Sequence, residues 1–353
     1  VSSLGSAEIA AVDTSGMLGD ILAMPDHIED AIWRAESAML EPARSGGAIV
    51  VCGMGGSAIG ADLAAAIAAP DAARPFATVR GYDLPSWVGE RDVVVLSSYS
   101  GATEETLSCF EQARDRGAQL YVVSSGGPLS EAAHRAGIPV IGLPGIFQPR
   151  VAVAYGVVAV LEIAIANGIV PATLRTELGA AATLLRELGG RWTADAEDAL
   201  PKRLAREAYG RLPVIYGAGL TEPVAYRWRC QINENAKRPA WSAALPEANH
   251  NEICAWEGAS EVTEHAAWFL ADSGQHPRIA ERMRIASQIA SGHRARTETI
   301  AGVGDSRAER LFSLVLLGDL VSLNLAVLHG VDPTPVPLIE DLKDRLGRPP
   351  AAG

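Results

Sequence analysis

Between positions 233 and 252 the chain reads NENAKRPAWSAALPEANHNE, with four Asn, three Glu and one each of Lys, Arg and His. These side chains suit proton transfer. A carboxylate is a base at neutral pH, an imidazole passes protons either way, and amides orient hydroxyls without adding charge. Pro, Trp and Leu in the stretch set it apart from a solvated charge run. It reads as one irregular loop, with Asn233-Glu234-Asn235 closing a helix that begins near Thr221. A polar helix end followed by a surface loop would explain these Asn residues equally. By the same reading His250, between Asn249 and Asn251, is a surface histidine unless its company gives it a role.

Two further turns carry candidate groups. Gly53-Met54-Gly55-Gly56-Ser57-Ala58 lets a backbone approach an anion at a helix N-terminus. As a dinucleotide fingerprint it is incomplete: the acid expected about 20 positions later is missing, and the nearest strand-end acid is Asp83. Ser97-Ser98-Tyr99-Ser100-Gly101-Ala102-Thr103 crowds four small hydroxyls into one turn. A helix cap needs only one of them, so the surplus points to an oxyanion held by hydroxyls and helix amides. Glu104 and Glu105 suit the helix dipole but must point away from such an anion.

Each turn follows a continuous apolar run. Strands are expected near 49–52, at 92–97, in AQLYVVSS and in IPVIGLPG, each central one followed by a helical pattern. Unbroken apolar strands fit a parallel sheet covered on both faces. Residues 14–40 read as helical, and so does about 149–190. RLPVIYGAGLTEPVAYRW then repeats the strand, GxG turn and helix of IVVCGMGGSAIGADL, and AAWFLADSG and TETIAGVG are further strands. The expected fold is therefore α/β, two doubly wound domains, each a parallel sheet flanked by helices. The expected division is an N-terminal helical segment (1–45), a first domain (46–170), a helical linker (171–200), and a second domain ending in a C-terminal helix (201–353). Ligands in such folds sit outside the carboxyl ends of the strands.

The net charge of −12 argues against nonspecific nucleic-acid binding. Cys52, Cys109, Cys230 and Cys254 form no CxxC pair, so reduced thiols and a cytoplasmic setting are expected. Residues 151–170 are apolar enough to span a bilayer, but Glu162 at their centre favours a helix buried within protein.

Together GMGGSAIGADL (53–63), SYSGATEETL (98–107), QPR (148–150), NENAK (233–237), NHNEI (249–253) and VDPTPVPLIEDLK (331–343) resemble the bifunctional phosphoglucose/phosphomannose isomerases, which carry two sugar isomerase (SIS) domains. NENAK followed by NHNE is the specific part. The resemblance implies interconversion of glucose 6-phosphate or mannose 6-phosphate with fructose 6-phosphate, with neither metal nor cofactor. It implies that Gly56, Ser57, Ser98, Ser100 and Thr103 hold the phosphate, that Glu234 is the catalytic base, and that Arg150 stabilises the enediolate. It further implies ring opening by His250 and Lys343, a homodimer in which the neighbouring subunit supplies the histidine, and a Thr334 that leaves room for either C2 epimer. Such enzymes read SGNTEET where this chain has Ala102, one polar contact fewer beside the phosphate. A non-catalytic sugar-phosphate regulator with the same domains is the alternative. The second half has no SxSGxT loop; Leu270-Ala271-Asp272-Ser273-Gly274 stands in its place, so one phosphate site per chain is expected.

Overall fold

A computed structural model of the chain describes residues 4–42, 46–193, 196 and 198–347. Helices α1 (Ser6–Val12), α2 (Met17–Leu22) and α3 (Met24–Ser37) come first. They lead into β1 (Ile49–Cys52), α4 (Gly55–Ala68), β2 (Phe76–Val79), β3 (Val93–Ser97), α5 (Glu104–Asp115), β4 (Gln119–Ser124), α6 (Gly127–Ala136) and β5 (Val140–Gly142). Three helices follow: α7 (Val153–Ala166), α8 (Leu174–Thr193) and α9 (Leu200–Ala208). The second half runs β6 (Leu212–Gly217), α10 (Glu222–Gln231), β7 (Trp241–Ala244), α11 (Trp256–Val262), β8 (His265–Ala271), α12 (Pro277–Gly292), β9 (Arg296–Ala301), α13 (Arg307–Leu328) and α14 (Pro337–Leu346).

Two parallel sheets result, ordered β2-β1-β3-β4-β5 and β7-β6-β8-β9. The second repeats the first without its last strand. The two expected parallel sheets with flanking helices are both present. Four readings of local structure change. Residues 14–40 form two helices and 149–190 form α7 and α8, separated by a turn with Gly168 at φ +62. The stretch 233–252 is not one irregular loop, because it contains the edge strand β7, paired with β6 from Val214↔Trp241 to Gly217↔Ala244. β2, also an edge strand, had no counterpart in the sequence reading.

Alternate residues of each central strand enter different cores, as strands covered on both faces require. Val50, Val94, Leu96 and Val122 pack with Phe110 of α5 and Leu129 of α6. Val51, Val93, Val95 and Val123 face the other way, into a core that also takes Ile215, Trp268 and Leu270 of the second sheet. Helices α4, α7, α8, α10 and α13 fill this shared core between the sheets. Val214, Tyr216, Ala267 and Phe269 meet α12 on the far side.

The apolar run 151–170 is α7, buried from Val153 through Ala164, and its Glu162 is paired with Arg175 (Nη2–Oε2 2.6 Å). Among the described residues only α13 is long and apolar enough to cross a membrane, and its apolar window is wholly buried inside the fold. Its Gly318 lies against Trp228 of α10, whose indole Nε1 donates to Leu314 O (2.8 Å). A Cβ at 318 would collide with that indole. Gly318→Ala should therefore lower the unfolding free energy by about 1–3 kcal/mol, the usual range for overpacking. Gly179→Ala in α8, where a Cβ meets open space, should be neutral or mildly stabilising. Chemical denaturation of both variants checks the contrast.

Candidate active site

The two Gly- and Ser-containing turns lie at the carboxyl ends of β1 and β3, and the Glu234 turn lies at the end of α10. The first loop is tight because it must be. A Cβ on Gly53 would lie 2.8 Å from Ser97 O, and one on Gly56 would lie 3.2 Å from Pro149 O. Glycine at these two positions lets β3 and the 149–150 segment close on the start of α4. Ser57 N–H turns back to Met54 O (3.1 Å), which leaves the amides of Gly55 and Gly56 at the open end of the helix.

In the second loop Ser98 Oγ and Thr103 Oγ1 are 2.7 Å apart. Thr103 occupies the N-cap position of α5, yet its side chain accepts no capping bond. Ser100 Oγ accepts from Ala102 N–H (3.3 Å) and is exposed. The loop can hold this shape because Gly101 has φ +66 and lies against Gly126 O. Glu104 is turned toward Tyr82, whose hydroxyl donates to Glu104 Oε2 (3.3 Å).

Glu234 sits in a single π-helical turn, Ile232–Ala236, that ends α10; such turns often mark functional sites. Lys237 closes the turn in the left-handed region (φ 54), a conformation that costs a non-glycine residue. Its Nζ donates to Asp332 O (3.0 Å) and Pro333 O (3.1 Å) and reaches Asn235 O at 3.4 Å. Arg150, 5% exposed, stands beside Glu234 (Nη1–Oε2 3.7 Å). Its Nε donates to Asn235 Oδ1 (2.7 Å) and its Nη2 to Pro333 O and Thr334 O (2.8 Å each). Behind it Arg227 Nη2 donates to Arg150 O (2.8 Å) and to Asp319 Oδ2 (2.7 Å), while Gln231 Nε2 donates to Asp319 Oδ1 (2.8 Å).

Burial dominates the electrostatics here. It pulls Arg150 and Lys237 below their ordinary values, and for Lys237 the neighbouring Arg150 charge adds to the effect. The Glu234 carboxylate opposes the shift of Arg150. Burial pushes Asp319 up, against the pull of Arg227.

Thus Gly56, Ser57, Ser98, Ser100 and Thr103 lie on two neighbouring loops, joined through Pro149 to Arg150 and so to Glu234. Thr334 belongs to the same cluster, and its Oγ1 is buried without a hydrogen-bond partner. His250 and Lys343 are exposed, one in the 3-10 turn Glu247–His250 and one on α14. Among the described residues neither shares a hydrogen bond or ion pair with Glu234 or Arg150. The sequence reading gave Asn235 only a general part among the orienting amides, and gave no role to Lys237, Arg227 or Asp319. A signal for Asp319 existed: a carboxylate inside the apolar run LVLLGDLVSLNL demands a buried partner.

In the second half, the loop after β8 carries Asp272, paired to Arg310 (Nε–Oδ1 2.5 Å). A carboxylate occupies the position where the first half offers hydroxyls.

Residues 197–346 match the family model described as bacterial phospho-glucose isomerase C-terminal SIS domain. The chain is 38% identical over 302 residues to a bifunctional phosphoglucose/phosphomannose isomerase of Caldicellulosiruptor bescii, covering 84% of this chain and 89% of that protein. To one of Aquifex aeolicus it is 35% identical over 299 residues, covering 84% and 90%. In fold it is similar to a hypothetical protein from Thermus thermophilus (TM-score 0.74, 16% identity, 97% of this chain and 93% of that one). It is also similar in fold to a glucose-6-phosphate isomerase like protein from the same organism (TM-score 0.62, 19% identity, 96% and 100%).

Below the Arg150 loop lies His27 of α3, 2% exposed, with Phe147 and Tyr155 at 4.6 and 5.0 Å between ring centroids. Burial lowers its pKa from 6.5, against the opposite pull of Asp26, the Val151 main chain and Asp30. The unfolded chain therefore takes up a proton that the folded chain refuses, so this group costs stability as pH falls below 6.5. His27→Phe should lose stability less steeply than the parent between about pH 7 and about pH 5 in denaturation at stepped pH.

Proposed function

The chain belongs to the bifunctional phosphoglucose/phosphomannose isomerase family, and from that premise we propose that it converts both glucose 6-phosphate and mannose 6-phosphate to fructose 6-phosphate, reversibly and without a metal, through an enediolate. It is a phosphosugar isomerase, an aldose–ketose intramolecular oxidoreductase. The observation that carries the finer reading is the buried Arg150 guanidinium 3.7 Å from the Glu234 carboxylate, beside two loops able to hold a phosphate.

Glu234 takes the proton from C2 of the open-chain aldose. Charge develops on the C1 oxygen, and the buried Arg150 guanidinium stabilises it. Glu234 returns the proton to C1, the C2 oxygen becomes the carbonyl, and its hydroxyl proton passes to the C1 oxygen. One carboxylate serves both carbons because they lie side by side on one face. The phosphate sits at the start of α4, on the Gly55 and Gly56 amides with Ser57, and takes hydroxyls from Ser98, Ser100 and Thr103. The Asp272–Arg310 pair supports a single phosphate site per chain, since Asp272 would repel a second anion. Thr334 lies in the same cluster and leaves room for either C2 epimer. His250 and Lys343 open the ring. Both are exposed, which suits a homodimer in which His250 reaches the neighbouring copy's site.

Formation of fructose 6-phosphate from each aldose phosphate, with EDTA present, tests this. Both should be converted, and Glu234→Gln should lower kcat at least about 100-fold with KM little changed, as loss of a placed base requires. Binding without conversion would instead support a sugar-phosphate regulator, and undiminished turnover in Glu234→Gln would remove the base assignment.

A further inference from the structure

Arg150 has five N–H donors. Three are held by short bonds to the protein: Nε by Asn235, and Nη2 by Pro333 O and Thr334 O. Nη1 is held more loosely, donating to Gln148 Oε1 at 3.5 Å and lying 3.7 Å from Glu234 Oε2. Because a guanidinium is planar, fixing Nε and Nη2 fixes Nη1, the edge left for a substrate oxygen. Two of the three fixed acceptors are main-chain carbonyls. Asn235 is the side-chain acceptor among them, and it is the residue next to Glu234.

Asn235 is itself held in one orientation. It is fully buried. Its Nδ2 donates to Ser322 Oγ (2.9 Å), and that hydroxyl donates to Asp319 O (2.8 Å) in α13. The amide oxygen is thereby aimed at Arg150. Its neutrality matters as much as its place. A carboxylate there would accept the same bond but cancel the guanidinium charge that the enediolate needs.

We propose that Asn235 is a positioning residue for the isomerisation, holding the Arg150 guanidinium at a set distance from the Glu234 carboxylate so that base and charge stabiliser address the same two carbons. The proposal rests on the roles of Glu234 and Arg150 given above. Asn235 acts through Arg150 and touches no substrate atom.

The test is steady-state kinetics on glucose 6-phosphate for Asn235→Ala, Arg150→Ala, the double variant and Glu234→Gln. Asn235→Ala should lower kcat about 10–100-fold, the scale of one hydrogen bond to a charged group, with KM changed by less than about twofold. In the Arg150→Ala background the same substitution should change kcat by less than about threefold, because the group it acts through is gone. Equal losses in both backgrounds, or parental kcat in Asn235→Ala, would overturn the proposal. If Asn235→Ala does not fold, Asn235→Asp keeps the shape and the oxygen facing Nε. It should lower kcat similarly and move the acid limb of the pH–rate profile upward, since a second carboxylate beside Glu234 disfavours its ionisation. Parental kcat with an unmoved limb in that variant would also overturn it. Glu234→Gln separates the two levels: retained turnover there brings down the site reading and this proposal together, whereas an inactive Glu234→Gln beside a failed Asn235 test brings down only the positioning role.

Discussion

A guanidinium taken out of water must have its donors matched, and Arg150 meets that demand by drawing three distant parts of the chain together. Its own segment follows β5, its Nε partner closes α10, and its Nη2 partners follow α13. The second buried guanidinium, Arg227, catches the main chain of Arg150 and is neutralised by Asp319, which Gln231 also holds. Lys237 fastens the same C-terminal segment from the other side. The loop carrying Thr334 is thus held by two cations through its carbonyls, and the side chain of Thr334 is left without a protein partner.

The duplicated halves have diverged at one exchange. In the first, glycine and hydroxyl groups leave an opening at the helix start. In the second, the matching turn is filled by the chain's own carboxylate and guanidinium, Asp272 and Arg310. The second half instead places Glu234 and Asn235, at the end of the helix after its first strand, beside Arg150 of the first.

The central strands were legible because burial on both faces writes an unbroken apolar run, as in VVVL of β3 and HAAWFLA of β8. The edge strands β2 and β7 were not: FATV and WSAA are short and only partly buried, and they become strands through the neighbours they pair with. The hydroxyl turn and Glu234 could be picked out because their residue types exceed what caps and solvated loops need. Arg227, Lys237 and the particular partners of Asn235 could not, since they are set by groups far away in sequence. The break between α7 and α8 was hidden because both flanks are apolar and only Gly168 and Pro171 mark the turn.

The core between the sheets is continuous and takes residues from both, with α13 buried along nearly its whole length inside it. Two halves joined through so much apolar surface do not swing apart as hinged lobes do. On the proposed reading, a sugar and its product would pass exposed segments such as the Ser100 turn rather than a cleft opened by the parting of two lobes.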